Sequence, residues 1–276
     1  MENEVSFVII YDNTQESKVK YVSDSVTDIL GWESNELINR TAYSLFHKND
    51  VPAIQQLHLA MVFQQKLSSM VTYRFLHKNG FYVRLESIIN FCYDIIITTN
   101  SIFDEGSLEH KQRMNSIEEA FCVGENGELE LLSMGLRTLT PSVLSKNDTK
   151  QQFTGTQLWQ KRLASQESEP RFCLILNRYT EDMNIIFATH LATYLVGVSV
   201  DDMLGKPIFE FVDEKDHVML EAQLSTTKSH SLLSRVRFGW TVDRDKDLYQ
   251  PVDGFITGTT DGLVLIVRLQ PKPLIL

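Results

Sequence analysis

The chain has 276 residues, of which 43% are hydrophobic and 22% charged, a composition typical of globular domains. This length suits one large domain or two ordinary ones, since single domains usually hold about 100 to 150 residues. A formal net charge of −10 without a basic block argues against direct contact with nucleic acid or an anionic membrane. No apolar stretch approaches the roughly 20 residues of a membrane span, and the acidic N-terminus is unlike a signal peptide. We therefore expect no membrane contact and a location inside the cell.

The first half predicts two strands, short helices, one longer helix and three further strands. "EVSFVIIYD" and "KVKYVS" are β-branched runs on either side of a polar turn, as in a hairpin. "SDSVTDILGW" spaces its apolar residues like a short helix and ends at Gly31, a residue type common just past a helix end. "NDVPAIQQLHLAMVFQQKL" is the longer helix, with Pro52 in its first turn. Alternation then indicates strands from about 68 to 103, with a hairpin signal at Asn79-Gly80.

The segment after these strands predicts a connection between two domains. "SLEHKQRMNSIEEAF" places Met114, Ile117 and Phe121 on one narrow stripe, which predicts a connecting helix over 107–121. "GENGE" is typical of a hairpin or loop turn, and the following residues are rich in Gly, Ser, Thr and Asn. We interpret 122–156 as a partly ordered linker.

The second half repeats the first. An offset of 166 positions aligns Tyr21 with Phe187, Gly31 with Gly197 and Asp50 with Asp216 without a gap. Apolar and turn-forming positions coincide while the surface letters differ, which indicates two copies of one scaffold.

Several stretches carry a resemblance to a known family. "YVSDSVTDILGW" and "HKNDVPAIQQLH" resemble the PAS domain, although Lys48 and Asn49 replace its usual Pro and Asp. "RFCLILNRYTEDMNIIFATH" is similar to the C-terminal PAS domain of white-collar-type fungal regulators. The resemblance implies an α+β fold with two five-stranded antiparallel sheets, each with helices on one face. It divides the chain into a first PAS domain over 1–105, a connecting helix and linker over 106–169, and a second PAS domain over 170–276.

Motifs for chemistry are missing from the sequence. It contains no nucleotide-binding, hydrolase, metalloprotease or calcium-loop pattern, so we predict no catalytic residue and no metal site. The three cysteines are widely separated, which favours free, mostly buried thiols. Flavin photosensors of the PAS family need a cysteine just ahead of the long helix, and neither copy has one there. White-collar regulators contact DNA through a four-cysteine finger, so the resemblance implies no direct DNA contact for this chain.

His58 is the main candidate cofactor ligand, and His217 lies near the start of the corresponding helix in the second half. Haem-binding PAS domains use a histidine on or near the long helix, and His58 lies there. A surface histidine or a hydrogen-bonded interior imidazole would fit the same position. We therefore expect no cofactor, with haem or an apolar small molecule as the alternative.

The strands also predict a surface for a protein partner. Strands that are apolar on both faces need a cover on each face, and alternation through "RLESIINFCYDIIITT" places Ile88 and Ile96 on the outer face. With Met114, Ile117 and Phe121 they form the predicted partner-binding set. The cover would be another PAS-domain protein, a second copy, or the sibling domain of the same chain. The outer face of the second sheet is predicted to be more polar, because Arg235 and Arg237 lie on it.

These expectations favour a non-catalytic signalling and interaction module of a white-collar-like transcriptional regulator, nuclear and/or cytoplasmic. The alternative is a small-molecule or haem sensor with its ligand in a PAS core.

Overall fold

The computed structural model describes residues 4–64, 67–92, 94–134, 169–230, 233–243, 246 and 248–270. The first half begins with two strands and three helices, β1 (Ser6–Asp12), β2 (Val19–Val22), α1 (Val26–Leu30), α2 (Ser34–Leu37) and α3 (Val51–Gln64). It continues with β3 (Ser69–Leu76), β4 (Tyr82–Cys92), β5 (Ile95–Ile102), α4 (Leu108–Ser116), β6 (Glu119–Val123) and β7 (Leu129–Met134). A short 3-10 turn, Ala42–Ser44, lies between α2 and α3.

The strands of the first half form one seven-stranded sheet in the order β2-β1-β5-β4-β3-β6-β7. Strands β1 to β5 pair antiparallel, as predicted. Strand β6 then adds to β3 in parallel, and β7 adds antiparallel to β6.

The prediction of five strands is therefore wrong for the first sheet. The connecting helix ends at Ser116 rather than continuing to 121, and the chain becomes extended at Glu119. Gly127 has φ +82° in the turn between β6 and β7, a conformation that glycine adopts without strain. Residues 122–134, predicted as linker, thus belong to the first sheet, and 135–156 lie outside the described residues. The division at 105 and 170 stays a prediction.

The second half repeats the arrangement with five strands. Its elements are β8 (Arg171–Leu176), β9 (Ile185–Ala188), α5 (Leu191–Val196), α6 (Val200–Met203), α7 (His217–His230), β10 (Leu233–Asp243), β11 (Leu248–Gly258) and β12 (Leu263–Leu269). Short 3-10 turns at Ile208–Phe211 and Glu214–Asp216 precede α7. The sheet order is β10-β11-β12-β8-β9, and every pair is antiparallel.

Equivalent glycines end equivalent helices in the two halves. Gly31 and Gly197 have φ +69° and +73°, and their N–H groups donate to the carbonyls of Thr27 and Thr193. A left-handed residue at this point satisfies a free carbonyl of the last helical turn. This shared C-terminal glycine conformation confirms the common scaffold that the sequence repeat indicated.

In each half the helices between the second and third strands cover one face of the sheet and enclose a core. The first core includes Phe7, Leu57 and Phe75, all at most 1% exposed. The second is built around Trp240, which stacks on Phe211 and meets the ring edge of Phe172. The α+β prediction is confirmed, and helices cover one face of each sheet, except that the connecting helix α4 packs on the opposite face of the first sheet.

Candidate functional site

The outer face of the first sheet, opposite α1, α2 and α3, meets the outer face of the second sheet, opposite α5, α6 and α7. The first half contributes seven residues of its sheet together with Leu67 and Ile117 beside it, namely Val8, Ile10, Leu67, Met70, Ile88, Cys92, Ile97, Ile117 and Ala120. The second sheet contributes Cys173, Ile175, Leu233, Phe255, Val264 and Ile266. All of these side chains are buried in one continuous group, which we call the interdomain cluster. Burial of apolar area is the main favourable contribution to such packing.

The second sheet takes part because its central strands are apolar on both faces. In β12, Leu263 and Leu265 face the second core, while Val264 and Ile266 face the interdomain cluster. Continuous apolar strands of this kind are typical of sheets covered on both sides. The prediction of a more polar outer face is wrong for β8, β11 and β12, because it was drawn from β10 alone. Arg237 of β10 is indeed largely exposed.

Polar contacts surround the interdomain cluster. The backbone N–H of Ser6 donates to Thr260 Oγ1 at 2.9 Å, and the Ser25 hydroxyl donates to Asp261 Oδ1 at 2.8 Å. Arg235 pairs with Glu118 at 3.4 Å. An apolar centre with a polar rim is the usual anatomy of a specific protein interface.

A buried charge network holds α4 on the same outer face of the first sheet. Glu86 is 1% exposed and accepts hydrogen bonds from His110 and Arg113 of α4. Arg113 also donates two bonds to Glu4, at 2.6 and 3.0 Å. Buried charges are tolerated when they are paired in this way. The outer face is thus covered by α4 around Glu86 and by the second domain from Ile88 onward.

The predicted partner-binding residues divide between two environments. Ile88, Met114 and Ile117 lie in or against the interdomain cluster, on the outer face as predicted. Ile96 and Phe121 belong instead to the first core. Binding of a separate protein by this set stays a prediction; the surface that Ile88 and Ile117 contact here is the sibling domain.

The positions of Ile96 and Phe121 in the first core have a physical explanation. The face of Ile96 was counted by alternation along one continuous strand, but β4 ends at Cys92 and β5 begins at Ile95. Alternation restarts there, so Ile97 rather than Ile96 reaches the outer face. Phe121 was placed by helical spacing, yet it lies in β6, where strand alternation points Ala120 outward and Phe121 inward.

His58 lies beside a small cavity in the first core. The cavity has a volume of about 50 Å³ and is lined mostly by apolar groups, with Tyr43, Tyr73 and Phe91 among them. The His58 Nε2–H donates to Asn13 Oδ1 at 3.2 Å, and Nδ1 accepts from the Tyr43 hydroxyl at 2.9 Å. Burial lowers the pKa of His58 from 6.5 to about 4, because a charged imidazole would lose its hydration.

This geometry does not fit a haem. Ligand sites for drug-sized molecules measure roughly 300–1,000 Å³, several times the cavity beside His58. Both ring nitrogens of His58 are also occupied by hydrogen bonds, so an iron ligand would have to give up one of them. The remaining chemistry of the cavity suits a very small, mainly apolar molecule.

The interdomain cluster contains two of the three cysteines. Cys92 and Cys173 are 1% and 0% exposed, and burial raises the pKa of Cys92 to about 12 and that of Cys173 well above its usual value. Cys122 is only partly buried and accepts a hydrogen bond from Arg84. The two cluster thiols are therefore poor nucleophiles while the domains are packed.

The described parts of the chain contain neither a metal-binding cluster nor a membrane-spanning helix. No group of three or more His, Cys, Asp or Glu side chains there could hold a metal ion. No helix among those residues is both long and apolar enough to cross a membrane.

Family models match both halves. A model described as "PAS fold" matches residues 19–95, and one described as "PAS domain" matches residues 171–265. The chain therefore contains two PAS domains in tandem.

Known proteins similar to this chain include clock proteins. The Period circadian protein of Hyalophora cecropia is 25% identical over 87 residues, covering 32% of this chain and 24% of that protein. The Period circadian protein of Antheraea pernyi is 28% identical over 83 residues, covering 30% of this chain and 10% of that protein. The matches thus span a quarter or less of these relatives.

Two solved structures each match somewhat more than a third of the chain. Wild-type Drosophila melanogaster Cycle PAS-B with bound ethylene glycol is 28% identical, with a TM-score of 0.32, and the match covers 35% of this chain and 99% of that one. The Stigmatella aurantiaca phytochrome photosensory core is 20% identical, with a TM-score of 0.30, covering 37% of this chain and 19% of that one.

Proposed function

We propose that the chain is a non-catalytic signalling and protein-interaction module, the tandem PAS part of a white-collar-like or clock-type transcriptional regulator. In this proposal it assembles with another PAS protein, or with a second copy, through the outer faces of its sheets. The tandem PAS architecture and the similarity to Period proteins support it. It acts inside the cell, in the nucleus or cytoplasm, and a partner carries any DNA contact.

The observation that carries the proposal is the interdomain cluster. There the outer face of one PAS sheet is buried by the outer face of another, so the chain itself provides an example of the contact that a partner would make. Val8, Ile88, Phe255 and Ile266 present the kind of apolar, strand-borne surface that a further PAS sheet could cover.

A partner has to compete with the sibling domain. Two domains on one chain meet at an effective concentration in the millimolar range, so simple displacement of the sibling is costly. Reciprocal exchange avoids this cost, because each sheet of one chain then covers a sheet of the other and no apolar side chain is left exposed. The 36 residues between Met134 and Arg171 separate the two sheets in sequence. We therefore propose exchange of PAS sheets as the mode of assembly.

Affinity purification of the chain from native extract, followed by light scattering of the recovered complex, tests the proposal. We expect a stoichiometric PAS-containing partner, or a homodimer of twice the 31.7 kDa chain mass. Ile266→Asp places a charge in the interdomain cluster and should abolish the complex, whereas Val218→Asp on the exposed surface of α7 should not. A chain that stays at 31.7 kDa and recovers no PAS protein would contradict the proposal.

The cavity beside His58 supports a second candidate, a sensor of a very small apolar molecule. Its walls are almost wholly apolar, and Tyr43 and His58 offer polar groups at one side. Mass spectrometry of ligand extracted from natively purified protein tests this candidate. A stoichiometric small molecule that is lost when Leu57→Phe fills the cavity would favour it; the same molecule retained by that variant would argue against the cavity as its site.

A further inference from the structure

A cleft of about 190 Å³ lies between the two domains. The first domain contributes Val8 and Ile10 of β1 and Tyr21 of β2. The second contributes Ile175 of β8, Phe187 of β9 and Asp261 from the turn between β11 and β12. The cleft is separate from the cavity beside His58, and it exists only where the two sheets are packed together.

Asp261 is the one charged residue of this lining. Its Oδ1 accepts the hydrogen bond from Ser25 at 2.8 Å. Its Oδ2 is shielded from solvent and has no hydrogen-bond donor among the described residues. The carboxylate therefore has hydrogen-bonding capacity that Ser25 does not use, and a ligand N–H group that reached it from the cleft would form a charge-assisted hydrogen bond.

The charge around the cleft favours a cation. Burial raises the pKa of Tyr21, and the carboxylates of Asp261 and Asp24 raise it further. Two negative groups thus act on the same phenol, which indicates a negative potential on this side of the cleft. Tyr21 and Phe187 are aromatic members of the lining, and an aromatic ring is a favourable neighbour for a cation. Apart from Ser23 and Gly262, the remaining lining residues are aliphatic and suit an apolar body.

We propose that this interdomain cleft binds a small organic ammonium ion, whose N–H group donates to Asp261 and whose apolar body lies between the two sheets. The volume is below the roughly 300–1,000 Å³ of sites for drug-sized ligands, so nucleotides and haem are too large. Because both domains form the walls, the ligand binds only the packed arrangement and stabilises it by mass action. The site gives the tandem a way to couple a metabolite to the contact between its domains, and its test needs no protein partner.

Calorimetric titration of the full chain at pH 7 tests the inference with three ammonium ions, n-butylammonium, cyclohexylammonium and 2-phenylethylammonium. The matching alcohols n-butanol, cyclohexanol and 2-phenylethanol have nearly the same shape without the charge. We expect at least one ammonium ion to bind saturably and at least ten-fold more tightly than its alcohol. Methyl chemical-shift changes should appear on both sides of the cleft, at Ile10 and Ile175.

Two variants distinguish the role of the Asp261 charge in binding from its structural role in the hydrogen bond with Ser25. Asp261→Asn keeps an oxygen acceptor for Ser25 but removes the charge. It should lower the affinity for the ammonium ion at least ten-fold and leave the affinity for the alcohol unchanged. Ser25→Ala removes the cross-domain hydrogen bond but keeps the carboxylate, and ammonium binding should stay within about two-fold. The inference would be overturned if none of the three ions bound saturably, or if an alcohol bound as tightly as its ammonium ion. It would also be overturned if Asp261→Asn bound the ion with full affinity, or if the chemical-shift changes were confined to Ile54 and Leu57 of the first core.

Discussion

Phe255→Ala measures how firmly the two sheets are packed. Phe255 lies on the outer face of β11 and is 0% exposed, because the first domain covers it. Truncating a phenylalanine in a packed core costs about 3–5 kcal/mol, through lost burial and the cavity left behind. If the face were open to solvent, the same change would stay within about 0.5 kcal/mol, as surface substitutions usually do.

Urea unfolding followed by far-UV circular dichroism measures the loss of unfolding free energy caused by Phe255→Ala. A loss of about 4 kcal/mol lowers the midpoint by about 2 M urea when the slope is about 2 kcal/mol per molar. Val218→Ala is the matched control, since Val218 is 80% exposed on α7, and it should leave the midpoint nearly unchanged. A Phe255→Ala midpoint equal to that of the control would refute the sheet-to-sheet packing.

Three further changes probe the parts that surround the interdomain cluster. Glu86→Gln removes the buried carboxylate that His110 and Arg113 share and leaves Arg113 with Glu4 alone, so it should lower the free energy of unfolding by about 3 kcal/mol. Glu36→Gln, at an exposed ion pair, should lower it much less, and similar urea midpoints for the two variants would contradict the buried network. Because the pKa of His58 is lowered from 6.5 to about 4, the unfolded chain takes up a proton in that interval that the folded chain lacks. Stability should therefore fall by up to about 3 kcal/mol as pH drops from 6.5 to 4, and urea titrations of His58→Gln should lack this component. Gly127→Ala brings a Cβ to 2.0 Å from a backbone carbonyl oxygen ahead of α3, whereas the Cβ of Gly80→Ala, also at positive φ, meets open space. The Gly127→Ala variant should therefore be less stable than the Gly80→Ala variant by about 1–3 kcal/mol. Equal thermal midpoints for the two variants would count against the packing of the β6–β7 turn.

Local patterns predicted most of the fold because they depend on neighbouring residues. The repeat, the helix stops at Gly31 and Gly197, and the hairpin at Asn79-Gly80 all follow from short-range chemistry. The hairpin of β6 and β7 had such a signal as well, in Asn126-Gly127. The sequence pattern nevertheless favours a linker here, because both strands are short and the parallel pairing of β6 with β3 depends on residues about 50 positions away.

The candidate site was less predictable because it depends on distant parts of the chain. The sequence indicated that the first sheet needs a cover, but sibling and foreign PAS sheets would supply the same apolar chemistry. The two nitrogens of His58 are satisfied partly by Asn13, 45 residues away, which helical spacing does not reveal. The position of Ile96 depended on where one strand ends, and boundaries are the least certain part of any pattern.

Thiol reactivity in the native chain tests most directly whether the outer faces of the two PAS sheets cover each other. The chain has three cysteines, and two of them, Cys92 and Cys173, lie in the interdomain cluster with raised pKa values. At pH 8 a disulfide reagent should label one thiol quickly, Cys122, and the other two only after denaturant is added. Rapid labelling of Cys92 and Cys173 in the folded chain would mean that the two faces are open, and would contradict the account.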